Sequence, residues 1–327
     1  MTAFEPRPGS TRSRLAATGA RVVLRPVAEA LPANRLGIAI SRGILASSLT
    51  AFGPVRPRTV VTAVNERTTS GRIRGEWVRA RGARRQDAAI LYIHGSGYAL
   101  CSPRTHRGLT SRLSALTGLP VFSVDYRLAP RHRFPAAAED VTRGFDWLIA
   151  QGFAADRIVV AGDSAGGHLC VDLCLSLLRA GRGLPAAQLL LSPIIDLSLA
   201  LAAKREQARP DPMISAGGAR RLIDLYTDGA DPAHERLAVT PRPGEVLPAT
   251  LIQVGGREML AADAHALHER LLETGTSSRL EVWPDQVHVF QAMPVLVPEA
   301  DRALRRGATF LREAVPIGTR QSQRGTA

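Results

Sequence analysis

Short apolar runs and longer amphipathic stretches alternate along most of this chain, and that alternation limits its fold more than any other feature. The runs "AAILYIHG" (88–95), "PVFSVDY" (120–126), "RIVVAG" (157–162), "AAQLLLSP" (186–193), "ATLIQVGG" (249–256) and "SRLEVWP" (278–284) read as strands. A leading pair, "TVVTAV" (59–64) and "GRIRGEWVRARG" (71–82), precedes them. Helices are expected between the runs, over roughly 104–117, 136–150, 165–181, 262–275 and 297–314. Strands that are apolar throughout are buried on both faces, and the intervening helices supply the cover. The expectation is an α/β fold with a mostly parallel eight-stranded sheet and helices on both faces.

Two stretches break the alternation. Residues 15–50 carry a helical pattern before any strand begins, and residues 197–240, around "AGGARRLIDLYTDGA", interrupt the repeat between the sixth and seventh strands. Neither fits a strand–helix repeat, so both are expected to cap one end of the sheet. The expected organisation is a cap segment over 1–55, a catalytic domain over 56–315 with a second cap segment at 197–230, and a flexible tail over 316–327.

The net charge of +13 raises the question of an anionic partner. Against nucleic acid, Lys204 is the only lysine, the arginines are spread along the chain, and aromatic residues make up only 5%. No apolar run approaches the roughly 20 residues of a membrane span. The N-terminus lacks the apolar core of an export signal, so the expected location is cytoplasmic. Peripheral membrane contact through the basic, partly apolar N-terminus and homodimerisation both stay open at this level. Three cysteines, an odd number, are expected as reduced thiols. Cys170 and Cys174 lie four apart on a helix, Cys101 lies in a loop, and no partner sits at metal-ligand spacing, so no metal is expected.

The chemistry concentrates around Ser164. It sits in Gly162-Asp163-Ser164-Ala165-Gly166, directly after the strand "RIVVA" and before the apolar helix "HLCVDLCLSLL". A G-x-S-x-G sequence between a strand and a helix has the form of a nucleophile elbow, a sharp turn that exposes a serine hydroxyl beside a helix N-terminus. The second element is "LYIHGSGYAL". There a strand ends at His94 and runs into Gly95-Ser96-Gly97-Tyr98, a loop poor enough in side chains for its amides to reach a ligand. Such amides, with that of Ala165, suit an oxyanion hole, since donors aimed at a developing oxyanion contribute about 10²–10³ in rate each.

These pieces, with "DYRLAPRHRFPAAAEDV" (125–141), "SPIIDLS" (192–198) and "PDQVHVF" (284–290), resemble the hormone-sensitive-lipase family of α/β-hydrolases, the bacterial family IV esterases, over roughly residues 60–315. The family usually shows three glycines after the histidine; here Ser96 takes the middle place. The backbone N–H survives that change, and the added hydroxyl is free to bond locally. The resemblance implies a serine carboxylesterase acting on a small-molecule acyl ester of short to medium chain length. It implies no cofactor, and a cap that forms the acyl pocket.

A serine nucleophile needs a base, and the base needs an orienting acid. Of eight histidines, His288 alone lies on a loop after the last strand, and it matches the family's catalytic histidine. His94 is expected to brace the donor loop; His265 and His268 are expected to be exposed. For the acid, Glu258 directly follows the seventh strand and occupies the family's acidic position. Asp263, a turn further on, remains the alternative, with helix capping as its expected use. Asp163, Asp196 and Glu139 read as structural hydrogen-bonders. Tyr98 and the residues from Leu36 to Leu45 are candidate pocket walls. Two rival readings are a non-catalytic binding protein on this scaffold and a serine amidase or peptidase.

Overall fold

The structure, a computed structural model, describes residues 3–317; the expected tail lies almost wholly outside the described residues. Eight strands form one sheet: β1 (Val60–Thr68), β2 (Gly71–Arg79), β3 (Ala89–Ile93), β4 (Val121–Val124), β5 (Ile158–Asp163), β6 (Ala187–Leu191), β7 (Ala249–Gly255) and β8 (Ser278–Trp283). Their order is β1-β2-β4-β3-β5-β6-β7-β8. The β1–β2 and β2–β4 pairs are antiparallel and all later pairs parallel. The helices are α1 (Thr11–Gly19), α2 (Arg25–Ala30), α3 (Arg35–Phe52), α4 (Pro103–Thr117), α5 (Ala136–Ala150), α6 (Ala165–Arg179), α7 (Ala200–Ala208), α8 (Ala216–Thr227), α9 (Ala261–Glu273) and α10 (Glu299–Ala314). A π-helical turn over Ala20–Leu24 joins α1 to α2.

Because side chains alternate along a strand, the sheet splits its apolar residues between two cores. Leu91, Ile93, Phe122, Val160 and Ile252 pack with Phe145 of α5, Leu169 and Leu173 of α6 and Leu267 of α9. Their sequence neighbours Ile90, Tyr92, Val121, Val159 and Leu251 pack on the other face with Leu113 of α4 and Leu304 and Leu311 of α10. Each fully buried side chain of this size contributes about 1.5–3 kcal/mol.

Five neighbouring parallel strands, β3, β5, β6, β7 and β8, end along one edge of the sheet. The segments that leave these ends carry Ser96, Ser164, Ser192, Glu258 and His288. In open α/β sheets, that carboxyl edge is where ligands bind. Helices α2, α3 and α8, from the two segments that broke the sequence alternation, wall a cavity at this edge, and α7 reaches the loop after β7 through Arg205.

Candidate active site

Strand β5 delivers Ser164 into a turn whose backbone an ordinary residue avoids, with φ 51° and ψ −119°. Such a conformation costs about 1–3 kcal/mol and persists only where the surroundings enforce it. They do so here. Ser164 N donates to Leu191 O (2.9 Å), while Ser164 O accepts from Gly167 N (2.9 Å) and Ile194 N (3.2 Å). A Cβ at Gly162 would come within 2.6 Å of Gly166 O, and one at Gly166 would overlap Ile93 O. The glycines thus let β5, α6 and the end of β3 meet at one point.

The donor loop runs through three consecutive left-handed residues, Ser96 (φ 82°), Gly97 (φ 59°) and Tyr98 (φ 60°). It lies against the elbow: a Cβ at Gly95 would sit 2.9 Å from Ser164 Cβ. The amides of Ser96, Gly97 and Ala165 donate to no acceptor among the described residues. The Ser96 hydroxyl turns away and donates to Cys101 Sγ at 2.8 Å, a local bond of the kind the sequence left open. Burial raises the Cys101 thiol to about 11, so this sulfur is a thiol acceptor and not a thiolate. His94 braces the loop as expected, with Nδ1 3.1 Å from Gly95 O. Burial holds its pKa at about 3, and Tyr126 OH donates to its carbonyl at 2.7 Å.

The candidate base and acid come from the far side of the edge. His288 Nδ1 lies 2.6 Å from Glu258 Oε2. An ionised carboxylate only accepts, so the proton belongs on Nδ1 and Nε2 is left as the basic nitrogen. Burial disfavours the imidazolium, but the charge and hydrogen bond of Glu258, with the charges of Asp211 and Asp163, outweigh it, and the His288 pKa is raised. Glu258 is fully buried, and its other oxygen accepts from Ser192 Oγ (2.7 Å) and from Gly255 N. The rival acid faces elsewhere. Asp263 accepts from the amides of Ile195 (2.9 Å) and Asp196 (2.8 Å), which makes it a clasp on the loop after β6 and not the helix cap expected for it. Asp163 ties together Tyr92 OH (2.6 Å) and His106 Nε2 (3.3 Å) beneath the elbow.

Ser96, Gly97, Ser164, Ala165 and His288 face one cavity of about 290 Å³. Its walls come from α2, α3 and α8 and from residues 289–296, and they are overwhelmingly apolar. Tyr98 lines it, stacked on Tyr226 of α8 with ring centroids 4.1 Å apart. Of the expected α3 walls, Ile38, Ile44 and Leu45 face the cavity, whereas Leu36 points into solvent. A strained serine, an acid-paired imidazole, three uncommitted amides and an apolar chamber make an arrangement suited to acyl transfer.

Comparison with known proteins settles the family. A profile described as the alpha/beta hydrolase fold matches residues 90–292. The chain is 38% identical to an acetyl-hydrolase of Streptomyces hygroscopicus, over 82% of this chain and 87% of that one. It is 32% identical to the carboxylesterase/phospholipase LipF of Mycobacterium tuberculosis, over 93% and 82%. A crystal structure of an esterase from the bacterial hormone-sensitive lipase family superposes with a TM-score of 0.83 at 33% identity, covering 94% of this chain and 99% of that one. The protein belongs to the bacterial hormone-sensitive-lipase family. As a member of that family of α/β-hydrolases, it is a carboxylic ester hydrolase. Neither the binding-protein reading nor the amidase reading finds support among these relatives.

Several residues of this family member escaped the sequence reading. Ser192, at φ 48°, donates to Glu258 and accepts from Val289 N (3.1 Å), so one hydroxyl joins Glu258 to the loop that carries His288. Its only signal was its place directly after an apolar strand, in "SPIIDLS". Arg205 of α7 donates to Glu258 O and to Gly256 O, both at 2.9 Å. Asp211, buried, accepts from Met213 N (2.7 Å) and Met259 N (2.8 Å), binding the second cap segment to the residue after Glu258. On α3, Arg42 donates to Ala99 O (2.7 Å) beside the donor loop. His268 is half-buried, not exposed, because its Nδ1 pairs with Ser278 Oγ (2.8 Å).

Proposed function

We propose that the protein cleaves short- to medium-chain acyl esters through an acyl-enzyme, with Ser164 as nucleophile, His288 as general base and Glu258 as its orienting acid. His288 Nε2 takes the Ser164 proton as Oγ attacks the ester carbonyl. The tetrahedral oxyanion accepts hydrogen bonds from the amides of Ser96, Gly97 and Ala165, with Gly95 keeping the loop against the elbow. His288 returns the proton to the departing alkoxide. Water, deprotonated by the same nitrogen, then releases the acid. Residues 1–55 and 197–230 act as a cap whose inner face receives the acyl chain. The observation that carries this reading is the 2.6 Å contact between His288 and Glu258 at the rim of the cavity that Ser164 enters.

Turnover of p-nitrophenyl butyrate by single variants tests the assignment. Ser164→Ala is expected to lose at least about 10⁴-fold in kcat, and Glu258→Gln about 10²–10⁴-fold. Asp263→Asn keeps an oxygen for the amides of Ile195 and Asp196 and is expected to stay within a few-fold of the wild type. A crippled Asp263→Asn beside an active Glu258→Gln would reverse the acid assignment.

A further inference from the structure

Along residues 11–23 the N-terminal segment carries its small residues inward and its large ones outward. Between Thr11 and Leu24 the buried positions are Ser13, Ala17 and Ala20. Leu15, Val22 and Val23 are 66%, 68% and 60% exposed, and on α3 Leu36 is 70% exposed. With Val27 and Ile40, six of the fourteen exposed large apolar side chains among the described residues fall between positions 15 and 40. Single exposed leucines are ordinary; a concentration of this kind marks a surface with a partner.

The same segment is basic. Residues 3–52 hold seven arginines against Glu5 and Glu29. Four of the seven are engaged: Arg25 bridges Glu29 and Glu206, Arg42 holds Ala99 O, Arg12 donates to Val295 O, and Arg7 lies near Glu5. Arg14, Arg21 and Arg35 are exposed with no acidic partner among the described residues, and each directly precedes an exposed Leu15, Val22 or Leu36. A partner for this face needs negative charge and a hydrocarbon layer together. A second copy of the chain supplies the apolar surface but not the charge. A twofold contact would set these arginines near one another, and Glu29, the acid nearest Arg21 and Arg35 in sequence, is already paired with Arg25.

The cavity opens in this same region, where the exposed Val27, Ala28 and Pro32 are also part of its lining. We infer that the outer face of α1–α3 docks on an anionic lipid–water interface, with Leu15, Val22, Val23 and Leu36 in the acyl boundary and Arg14, Arg21 and Arg35 on headgroup phosphates, so that an apolar ester enters the cavity beside Val27 directly from the lipid. Helices of this kind lie about 5–10 Å into the boundary. The entry route rests on the ester-hydrolase reading; the docking does not.

The test uses the full chain. Flotation with vesicles of phosphatidylcholine alone is compared with vesicles that also hold about 30 mol% phosphatidylglycerol. Hydrolysis of dissolved p-nitrophenyl butyrate is measured in parallel. The protein is expected to float with the anionic vesicles only and to leave them as salt approaches ~1 M. The double variant Arg14→Glu/Arg21→Glu and the triple variant Leu15→Ser/Val22→Ser/Leu36→Ser each lower the ratio of bound to free protein at least about tenfold. Both retain turnover of the dissolved ester, which establishes that they fold. Wild-type protein that floats with neither vesicle, or variants that float like the wild type, overturn the inference. So does light scattering that finds a dimer dispersed by the same substitutions. Wild-type protein that floats but never hydrolyses the dissolved ester upholds the docking and counts against the proposed function instead.

Discussion

At the scale of single residues, strain and charge are placed where the proposed chemistry needs them. Ser164 holds a backbone conformation that glycine adopts freely and alanine only with strain. Replacing it by glycine is therefore expected to give a protein about 1 kcal/mol more stable than the Ser164→Ala variant, although both lack the proposed nucleophile; paired denaturant melts measure the difference. A second expectation concerns pH. Burial lowers the His288 pKa, but the charge and hydrogen bond of Glu258, with the charges of Asp211 and Asp163, together outweigh it and raise the pKa above 6.5. A base must be neutral, so activity is lost as pH falls through this raised pKa. The acid limb of kcat/KM should then lie above the ordinary histidine value. In Glu258→Gln the carboxylate charge is gone while burial remains, and the limb is expected to move to lower pH as well as to lower rate. A limb that stays in place would remove Glu258 from its proposed role. The nucleophile and base candidates were legible because their neighbours are diagnostic: glycines around a serine, a lone histidine past the last strand. Ser192 and Arg205 were not, since one hydroxyl and one guanidinium look the same in a sequence whether they hold an acid in place or face water.

At the scale of elements, apolar periodicity carried almost all of the information about the sheet. Strands such as β5 and β6 are buried on both faces, so their sequences are largely apolar runs, broken in β6 only by Gln188 and ended in β5 by Asp163. The cap was legible only as a break in that pattern. Residues 15–50 look helical, but over residues 11–23 small side chains face in and large ones out, an order that inverts the usual rule and shows only in three dimensions. The glycines between elements were readable as crowding, and the structure says what they are crowded by. A methyl at Gly166 would meet the carbonyl oxygens of Ile93 and His94, backbone atoms that cannot swing aside. Gly166→Ala is accordingly expected to push α6 off the end of β3, costing at least about 2 kcal/mol of stability and displacing the Ala165 amide with it. Thermal melts read the first effect. Turnover of p-nitrophenyl butyrate at a temperature where the variant is still folded reads the second, as a fall in kcat greater than the rise in KM.

At the scale of the whole molecule, the cap and the sheet are not separable layers, because arginines from the cap grip the loops beneath it. Arg42 of α3 holds the carbonyl of Ala99 beside the donor loop, Arg205 of α7 holds the carbonyl of Glu258, and Arg25 of α2 joins the two cap segments through Glu206. The donor loop and the loop that carries Glu258 are thus fixed from above as well as from the strands that deliver them. The same arrangement separates two properties that a site in one layer would mix. Strand ends and their loops position the reacting atoms, while α3 and α8 shape the chamber behind them. Substrate length should then be alterable without touching the chemistry. Ala219 faces the cavity from α8 and belongs to no hydrogen-bonded part of the site. Ala219→Phe adds a ring to the chamber and shortens the space left for an acyl chain. Each methylene lost from an apolar pocket is worth about 1–3 kcal/mol in discrimination. The variant is expected to hydrolyse p-nitrophenyl acetate within a few-fold of the wild type while kcat/KM for the octanoate ester falls at least about tenfold. Equal losses on both esters would mean that the ring had disturbed the elbow or the donor loop. Equal retention would mean that the acyl chain lies elsewhere, along the α3 wall formed by Ile38, Ile44 and Leu45.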